Sequence, residues 1–281
     1  MPGVSCMRSP SRWRVLAALA CVWALAGAQA ATLEVEGPGG RRQYDGAALA
    51  GHAQAREIDV PRDAAYHRPM RWRAVPLAVV LQGLGLTPAD TLEVVATDGF
   101  VAQLPGALAL RTGAGQPWLA VEPPGAPWPA LPGKAAGPGP FYIVWPVATG
   151  VSDEQWPYAV ARMAVREPPQ RRWPQIDVAA RLPADDPARR GLSVFVAQCL
   201  ACHTLNGGGA ATIGPDLNQP MSPVDYFQPA ALRRLIRDPA SVRHWPGRAM
   251  PAFGPQQLDE RALDDLIAYL RHMAQGRRAA P

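Results

Sequence analysis

The chain has 281 residues, 48% of them apolar, with 32 prolines and 26 glycines. That length allows two folded units, and so much proline and glycine excludes an all-helical chain, because both residues favour turns and break helices. The formal charge of +5 rests largely on a basic leader, so a role in nucleic-acid binding loses its electrostatic support.

That leader comes first. Arg8, Arg12 and Arg14 precede an apolar stretch from Val15 to Gly27, followed by Ala28-Gln29-Ala30. This is the layout of a secretory signal peptide, residues 1–30, cleaved after Ala30, and it predicts export to the periplasm. The apolar stretch falls short of the roughly 20 residues that span a bilayer, so no transmembrane span is expected in the mature chain. Ala18-Leu19-Ala20 before Cys21 loosely resembles a lipoprotein site, an alternative that stays open. Cleavage removes three arginines and lowers the formal charge from +5 to about +2. It also removes Cys6 and Cys21, leaving Cys199 and Cys202 as the only thiols, in a compartment where spare thiols oxidise.

From residue 32 to 165 short apolar runs are broken by glycine and proline. Residues 32–35, 92–96, 100–104, 119–121, 141–147 and 158–165 read as strands. Residues 76–83 carry Leu77, Val80 and Leu81 at helical spacing and stop at Gly83, which predicts one short helix. Residues 31–166 are therefore expected to form a mixed α/β, strand-rich domain. Within it, residues 116–140 hold too many prolines for a paired interior strand; Trp118 and Trp128 predict a loop packed down on its own domain. Residues 167–185 read as a stiff Pro-rich linker.

The periodicity then becomes helical, and residues 186–275 are expected to form a small all-α domain, with 276–281 as a tail. Asp186 can cap a helix with Pro187 in its first position, and Leu192, Phe195 and Val196 form a stripe leading to Cys199. Leu232, Leu235 and Ile236 mark a second helix, ended by Pro239. A third runs from a cap at Asp259 through Leu263, Leu266, Ile267, Leu270 and Met273 to Gly276.

Cys199-Leu200-Ala201-Cys202-His203 has the C-x-x-C-H spacing of covalent haem c attachment: two thiols add to vinyl groups and the adjacent histidine reaches the iron. Cys199 and Cys202 are thus the expected thioether donors for one haem c, and His203 the proximal iron ligand. A zinc site lacks a second cysteine pair, and no βαβ context supports a thioredoxin-like dithiol. Met250, ahead of Pro251, is the expected distal iron ligand, because a thioether favours ferrous iron as an electron carrier requires. Met221, Met273 and His244 compete for that position. Arg233, Arg234, Arg237, Arg243 and Arg248 can form a basic rim that steers an acidic partner, or can simply be solvated.

With these motifs in view, residues 186–275 resemble class I cytochromes c. The likeness rests on Gly191 and Phe195, the CLACH segment, Gly214-Pro215-Asp216-Leu217, Met250-Pro251-Ala252-Phe253 and Leu266-Ile267-Ala268-Tyr269-Leu270. It implies that the first and last helices cross at Gly191 with Phe195 and Tyr269 in contact. It also implies that Pro215 packs on the proximal side, its carbonyl orienting His203.

The amino-terminal half carries Val75-Pro76-Leu77, Ala96-Thr97-Asp98-Gly99-Phe100 and Phe141-Tyr142-Ile143-Val144-Trp145-Pro146. In these it partially resembles the sulfite-oxidase-like molybdopterin-binding fold. Members that do chemistry hold molybdenum through a cysteine thiolate, and residues 31–198 contain no cysteine. The expectation is a domain without a molybdenum ligand that docks partners; Asp98-Gly99 is read as a turn, and His52 and His67 as isolated histidines rather than metal ligands. The chain as a whole is expected to be a periplasmic monohaem electron carrier rather than an enzyme, working with a dehydrogenase or oxidase. The alternative is an enzyme subunit whose amino-terminal domain oxidises or binds a small substrate and passes electrons to the haem.

Overall fold

The computed structural model describes residues 31–243 and 249–278, together with Gly3. The leader with Cys21 and Ala30, the candidate ligand His244, Arg248 and the last three residues of the tail lie outside the described residues. No helix among the described residues is long and apolar enough to cross a membrane.

The amino-terminal domain is strand-rich mixed α/β. It runs β1 (Thr32–Gly37), β2 (Gly40–Asp45), α1 (Gly46–Ala50), β3 (Arg56–Val60), β4 (Met70–Pro76), α2 (Leu77–Leu81), β5 (Thr91–Ala96), β6 (Val101–Pro105), α3 (Gly106–Ala109), β7 (Trp118–Val121), β8 (Phe141–Val144) and β9 (Val160–Arg166). The strands form a five-stranded sheet in the order β2-β1-β9-β5-β6 and a four-stranded sheet in the order β3-β4-β7-β8. β1 pairs in parallel with β9, so the first and last strands lie side by side; the other pairings are antiparallel. One apolar core takes Leu33, Val35, Leu92, Val94 and Met163 from the first sheet and Trp72, Ala74, Leu119, Phe141 and Ile143 from the second.

Each expected strand is present, and the short helix is α2. The run expected to reach residue 147 pairs only to Val144, ahead of Pro146, a residue that cannot donate to a ladder. Three strands were not foreseen. β2, Gly-Arg-Arg-Gln-Tyr-Asp, lies at a sheet edge and buries none of its six residues completely, so it carries no apolar alternation to read. β3 is likewise an edge strand, and it buries only Ile58 and Val60. β4 alternates Met70, Trp72 and Ala74 with arginines, a signal that was legible.

The Pro-rich loop packs on its own domain, as expected. Trp128 meets Trp72 edge-on with ring centroids 4.6 Å apart. Beneath them lies Asp63, fully buried. Its carboxylate accepts from Ala65 N at 2.9 Å, Tyr66 N at 3.0 Å, Trp72 Nε1 at 3.1 Å and the Tyr142 hydroxyl at 3.2 Å. Four donors make this buried charge tolerable and fix two aromatic rings of the core.

The segment between the domains is ordered against both. α4 (Pro169–Arg172) brings Arg172 Nη1 to 2.7 Å from Glu93 on β5, whose side chain is only 4% exposed. Ile176 and Val178 then bury in the core of the second domain, where the Tyr269 hydroxyl donates to the Ile176 carbonyl at 2.6 Å. The expected linker is thus strapped at both ends.

The carboxy-terminal domain contains α5 (Pro187–Gln198), α6 (Pro223–Tyr226), α7 (Pro229–Arg237), α8 (Pro239–Val242) and α9 (Glu260–Arg278). Asp186 caps α5 by accepting from Ala188 N at 2.8 Å, with Pro187 in the first position. α9 passes the expected stop at Gly276 and continues to Arg278. Asp259 accepts from Ala262 N at 2.7 Å at its start.

Replacing Asp63 by alanine strands the Trp72 and Tyr142 donors in the core, and is expected to cost about 2–3 kcal/mol. Urea unfolding followed by tryptophan fluorescence reads this; an unchanged midpoint would show that the four bonds contribute nothing net.

Candidate haem-attachment site

The attachment motif is wound onto the end of α5. Cys199 N and Leu200 N both donate to the Phe195 carbonyl at 2.9 Å, and Cys202 N and His203 N donate to the Cys199 carbonyl at 3.0 and 2.9 Å. Positions i, i+3 and i+4 of one helical turn share a side, so the spacing presents Cys199, Cys202 and His203 together. Both cysteines are free and partly buried.

α5 is aimed by its crossing with α9. A β-carbon on Gly191 would lie 2.0 Å from the Asp265 carbonyl oxygen and 2.6 Å from Tyr269 Cβ, so only glycine permits this approach. Phe195 and Tyr269 pack beside it with ring centroids 5.4 Å apart. Sequence reasoning anticipated these contacts. It missed the neighbouring ion pair, in which Arg190 Nε and Nη2 each reach a different oxygen of the buried Asp265 carboxylate at 2.7 Å.

His203 is held on two sides. Its Nδ1 lies 2.7 Å from the Pro215 carbonyl oxygen; a carbonyl only accepts, so Nδ1 carries the proton and Nε2 keeps the ring's lone pair. A β-carbon on Gly214 would meet the ring at 2.5–3.0 Å, so the backbone there lies against the imidazole. Burial lowers the imidazole's proton affinity, opposed by the Pro215 carbonyl and Asp216, and favours the neutral form that donates a lone pair.

The Pro215 loop is organised by Asp216. Its carboxylate accepts from the Thr204 hydroxyl at 2.9 Å and from the backbone N–H groups of Asn206, Gly207, Asn218 and Gln219 at 2.8–3.1 Å. Burial pushes this carboxyl up, and the backbone donors, led by Gly207 and Asn218, win and hold it below its usual range.

Burial, with the Glu154 carboxylate as second cause, pushes both thiols up to about 12. Dithiol redox catalysts need the opposite, a depressed cysteine pKa, so the electrostatics disfavour thiol exchange here. Glu154 belongs to the amino-terminal domain, on the 3-10 turn Asp153–Gln155. That domain is seated on the motif: Val101 N donates to the Ala201 carbonyl at 3.3 Å, and the Ser152 hydroxyl donates to Gln198 Oε1 at 2.8 Å. Asp98-Gly99 forms a turn with Gly99 at φ +89, where an added β-carbon would lie 3.2 Å from Thr212 Oγ1. None of this interface was foreseen.

Met250 is partly buried and packs on the same apolar cluster that Cys199 and Leu217 border. Of its rivals, Met273 is buried in the α9 stripe, and Met221 is 50% exposed. Two arginines of the basic rim are paired with acids. Arg233 pairs with Glu260 at 3.3 Å and also with Asp264, and Arg237 pairs with Glu260 at 2.7 Å. His52 Nδ1 accepts from Gln54 N at 3.1 Å, and His67 is exposed on the far domain. No cluster of three or more histidine, cysteine or acidic side chains placed to hold a bare metal ion occurs among the described residues.

The helical fold and this attachment turn define an electron-transfer class. Residues 188–274 match the family model described as Cytochrome c, so the carboxy-terminal domain is a cytochrome c domain, a family whose members carry covalent haem c. Among solved structures the chain is similar to the sulfane dehydrogenase SoxCD from Paracoccus pantotrophus. The identity is 16% and the TM-score 0.35, over 49% of this chain and 38% of that one. No curated protein matches the sequence.

Burial, and then Asp153 beside it, pushes the Glu154 carboxyl up to about 7 from its ordinary 4.5, against Lys134. The folded state therefore prefers the protonated acid, and the associated stability is fully present below about pH 4.5 and is lost as pH rises through about 7. Thermal unfolding is expected to fall by a few degrees more between pH 5 and 8 in the parent than in Glu154→Gln. Parallel curves for the two proteins would refute the assignment.

Proposed function

We propose that the chain is an exported, periplasmic monohaem c-type cytochrome that transfers single electrons between protein redox partners, with the amino-terminal domain acting in partner docking. The observation that carries this reading is the single helical turn bearing Cys199, Cys202 and His203, with His203 Nδ1 fixed by Pro215 and Nε2 left as the donor.

The donor set fits the group. Cys199 and Cys202 would hold haem c through thioethers, and His203 Nε2 and the Met250 sulfur would be the donors to its iron. The haem supplies a one-electron Fe(III)/Fe(II) couple. The rest is the work of the chain. The Pro215 carbonyl fixes the imidazole tautomer and raises its donor strength, while Gly214 lets the backbone lie against the ring. Phe195, Leu200 and Leu205, all buried, keep water from the attachment turn. A thioether donor on Met250 biases the couple towards ferrous iron, and two protein ligands leave the chain positioned for electron transfer rather than substrate binding at iron.

For the amino-terminal domain, support comes from its contacts with Gln198, which precedes the motif, and with Ala201 within it, and from the absence of any cysteine between residues 31 and 198. A domain fixed beside the electron-transfer site and lacking a molybdenum thiolate is suited to presenting partners.

The full chain, produced in a host that attaches haem, is expected to contain one haem per polypeptide and iron without molybdenum. In the ferric state it should show the long-wavelength band of sulfur-to-iron charge transfer, and Met250→Ala should abolish that band. A band that survives would remove Met250 as the ligand, and stoichiometric molybdenum would overturn the docking role of the first domain.

A further inference from the structure

The loop that carries Met250 has no regular secondary structure between Met250 and the start of α9, and its shape depends on bonds to other elements. Arg237, the last residue of α7, supplies two of them and ties the loop to the first residue of α9 as well. Its Nη1 donates to the Phe253 carbonyl at 2.9 Å and also to the Leu258 carbonyl, while Nη2 donates to Glu260 Oε1 at 2.7 Å. The preceding residue adds a backbone bond, Phe253 N to the Ile236 carbonyl at 3.1 Å. The loop is thus gripped at both ends of residues 253–258 by one guanidinium whose side chain is 19% exposed.

We infer that Arg237 is a positioning residue for the distal iron ligand, fixing the loop so that the Met250 sulfur is presented to the iron without a search. This rests on the reading of Met250 as that ligand. Three features favour arginine for the task. The guanidinium keeps its charge at all working pH values, its planar fork can serve two carbonyls and a carboxylate at once, and bonds from a charged donor are stronger than neutral ones. Phe253, 5% exposed in the core of the domain, anchors the loop three residues after Met250, and the Arg237 bond to its carbonyl sets the depth of that anchor.

The thioether is a soft donor and holds ferric iron less well than ferrous. A loosened loop therefore reveals itself first in the ferric protein. The test uses the full-length holoprotein and reads the ferric charge-transfer band while imidazole is added to displace the sulfur. Arg237→Gln is expected to lower the half-displacing imidazole concentration about tenfold or more, the effect of losing charge-assisted bonds that order the ligand. It is also expected to lower the midpoint potential. Glu260→Gln keeps both carbonyl bonds and should leave the band and the imidazole titration close to the parent. Far-UV circular dichroism establishes that the helices are intact. Should Arg237→Gln not yield holoprotein, Arg237→Lys, whose ammonium stands one atom short of the Nη1 position that bonds both carbonyls, is expected to show an intermediate shift.

An unchanged titration in Arg237→Gln, or in Arg237→Lys where only that variant folds, overturns the inference. Met250→Ala separates the two failures. If that variant keeps the band, the ligand assignment is wrong; if it loses the band while the Arg237 variants titrate like the parent, only the positioning role is wrong.

Discussion

At the crossing of α5 and α9, a β-carbon on Gly191 would stand 2.0 Å from the Asp265 carbonyl oxygen. The two helices therefore meet backbone to backbone, and the residues around the contact are arranged to keep it. Phe195 and Tyr269 fill one flank, and Arg190 grips the Asp265 side chain with two bonds on the other. Because α5 continues directly into the attachment turn, this contact decides where Cys199, Cys202 and His203 point. Any larger residue at position 191 moves the helix axis, and with it the whole donor set. Overpacking a site this tight costs typically about 1–3 kcal/mol, paid in the position of the motif as well as in stability.

Two further constraints hold the amino-terminal domain to this frame. The connector is strapped to the first sheet through Arg172 and Glu93 and to the second core through Ile176 and Tyr269. The motif touches the first domain through Ala201, and the residue before it, Gln198, adds a second contact. Arg162 and Arg166 approach Glu93 at 3.8 and 3.7 Å, so the carboxylate that anchors the connector sits within a cluster of positive charge rather than in a single pair. A proline-rich segment normally serves as a spacer; here its prolines stiffen a segment already tied at each end.

Local features of the chain were legible and distant pairings were not. C-x-x-C-H, the Asp186-Pro187 helix start and the short, mostly apolar runs of β5 and β6 are written in neighbouring residues, and the helix start and both strands are where the pattern put them. Gly191 was legible through family likeness rather than through spacing. Charged residues misled. Arg237 was read as part of a basic rim, yet the carbonyls it holds lie 16 and 21 positions away in sequence, and Arg190, whose carboxylate partner lies 75 positions away, drew no reading; nothing local announces such pairings. Asp63 gave no signal for the same reason, since two of its donors, Trp72 and Tyr142, come from strands of the second sheet. β2 was invisible because none of its six residues is fully buried, so it carries no apolar alternation to read.

The neutralisation of Arg233 and Arg237 changes where electrostatic steering can originate. Charges already paired with Glu260 and Asp264 contribute little field at a distance, so Arg237 acts inward, on the 250–258 loop. The same loop is held on its other side by Gln198, whose Nε2 donates to the Gln257 carbonyl at 3.2 Å while its Oε1 accepts from Ser152. Gln198 is the residue before Cys199, so a single amide side chain joins the attachment turn, the Met250 loop and the amino-terminal domain. Through Gln198 the amino-terminal domain is thus hydrogen-bonded to the helix that leads into the attachment turn and to the 250–258 loop together, a connection that a freely tethered domain would lack.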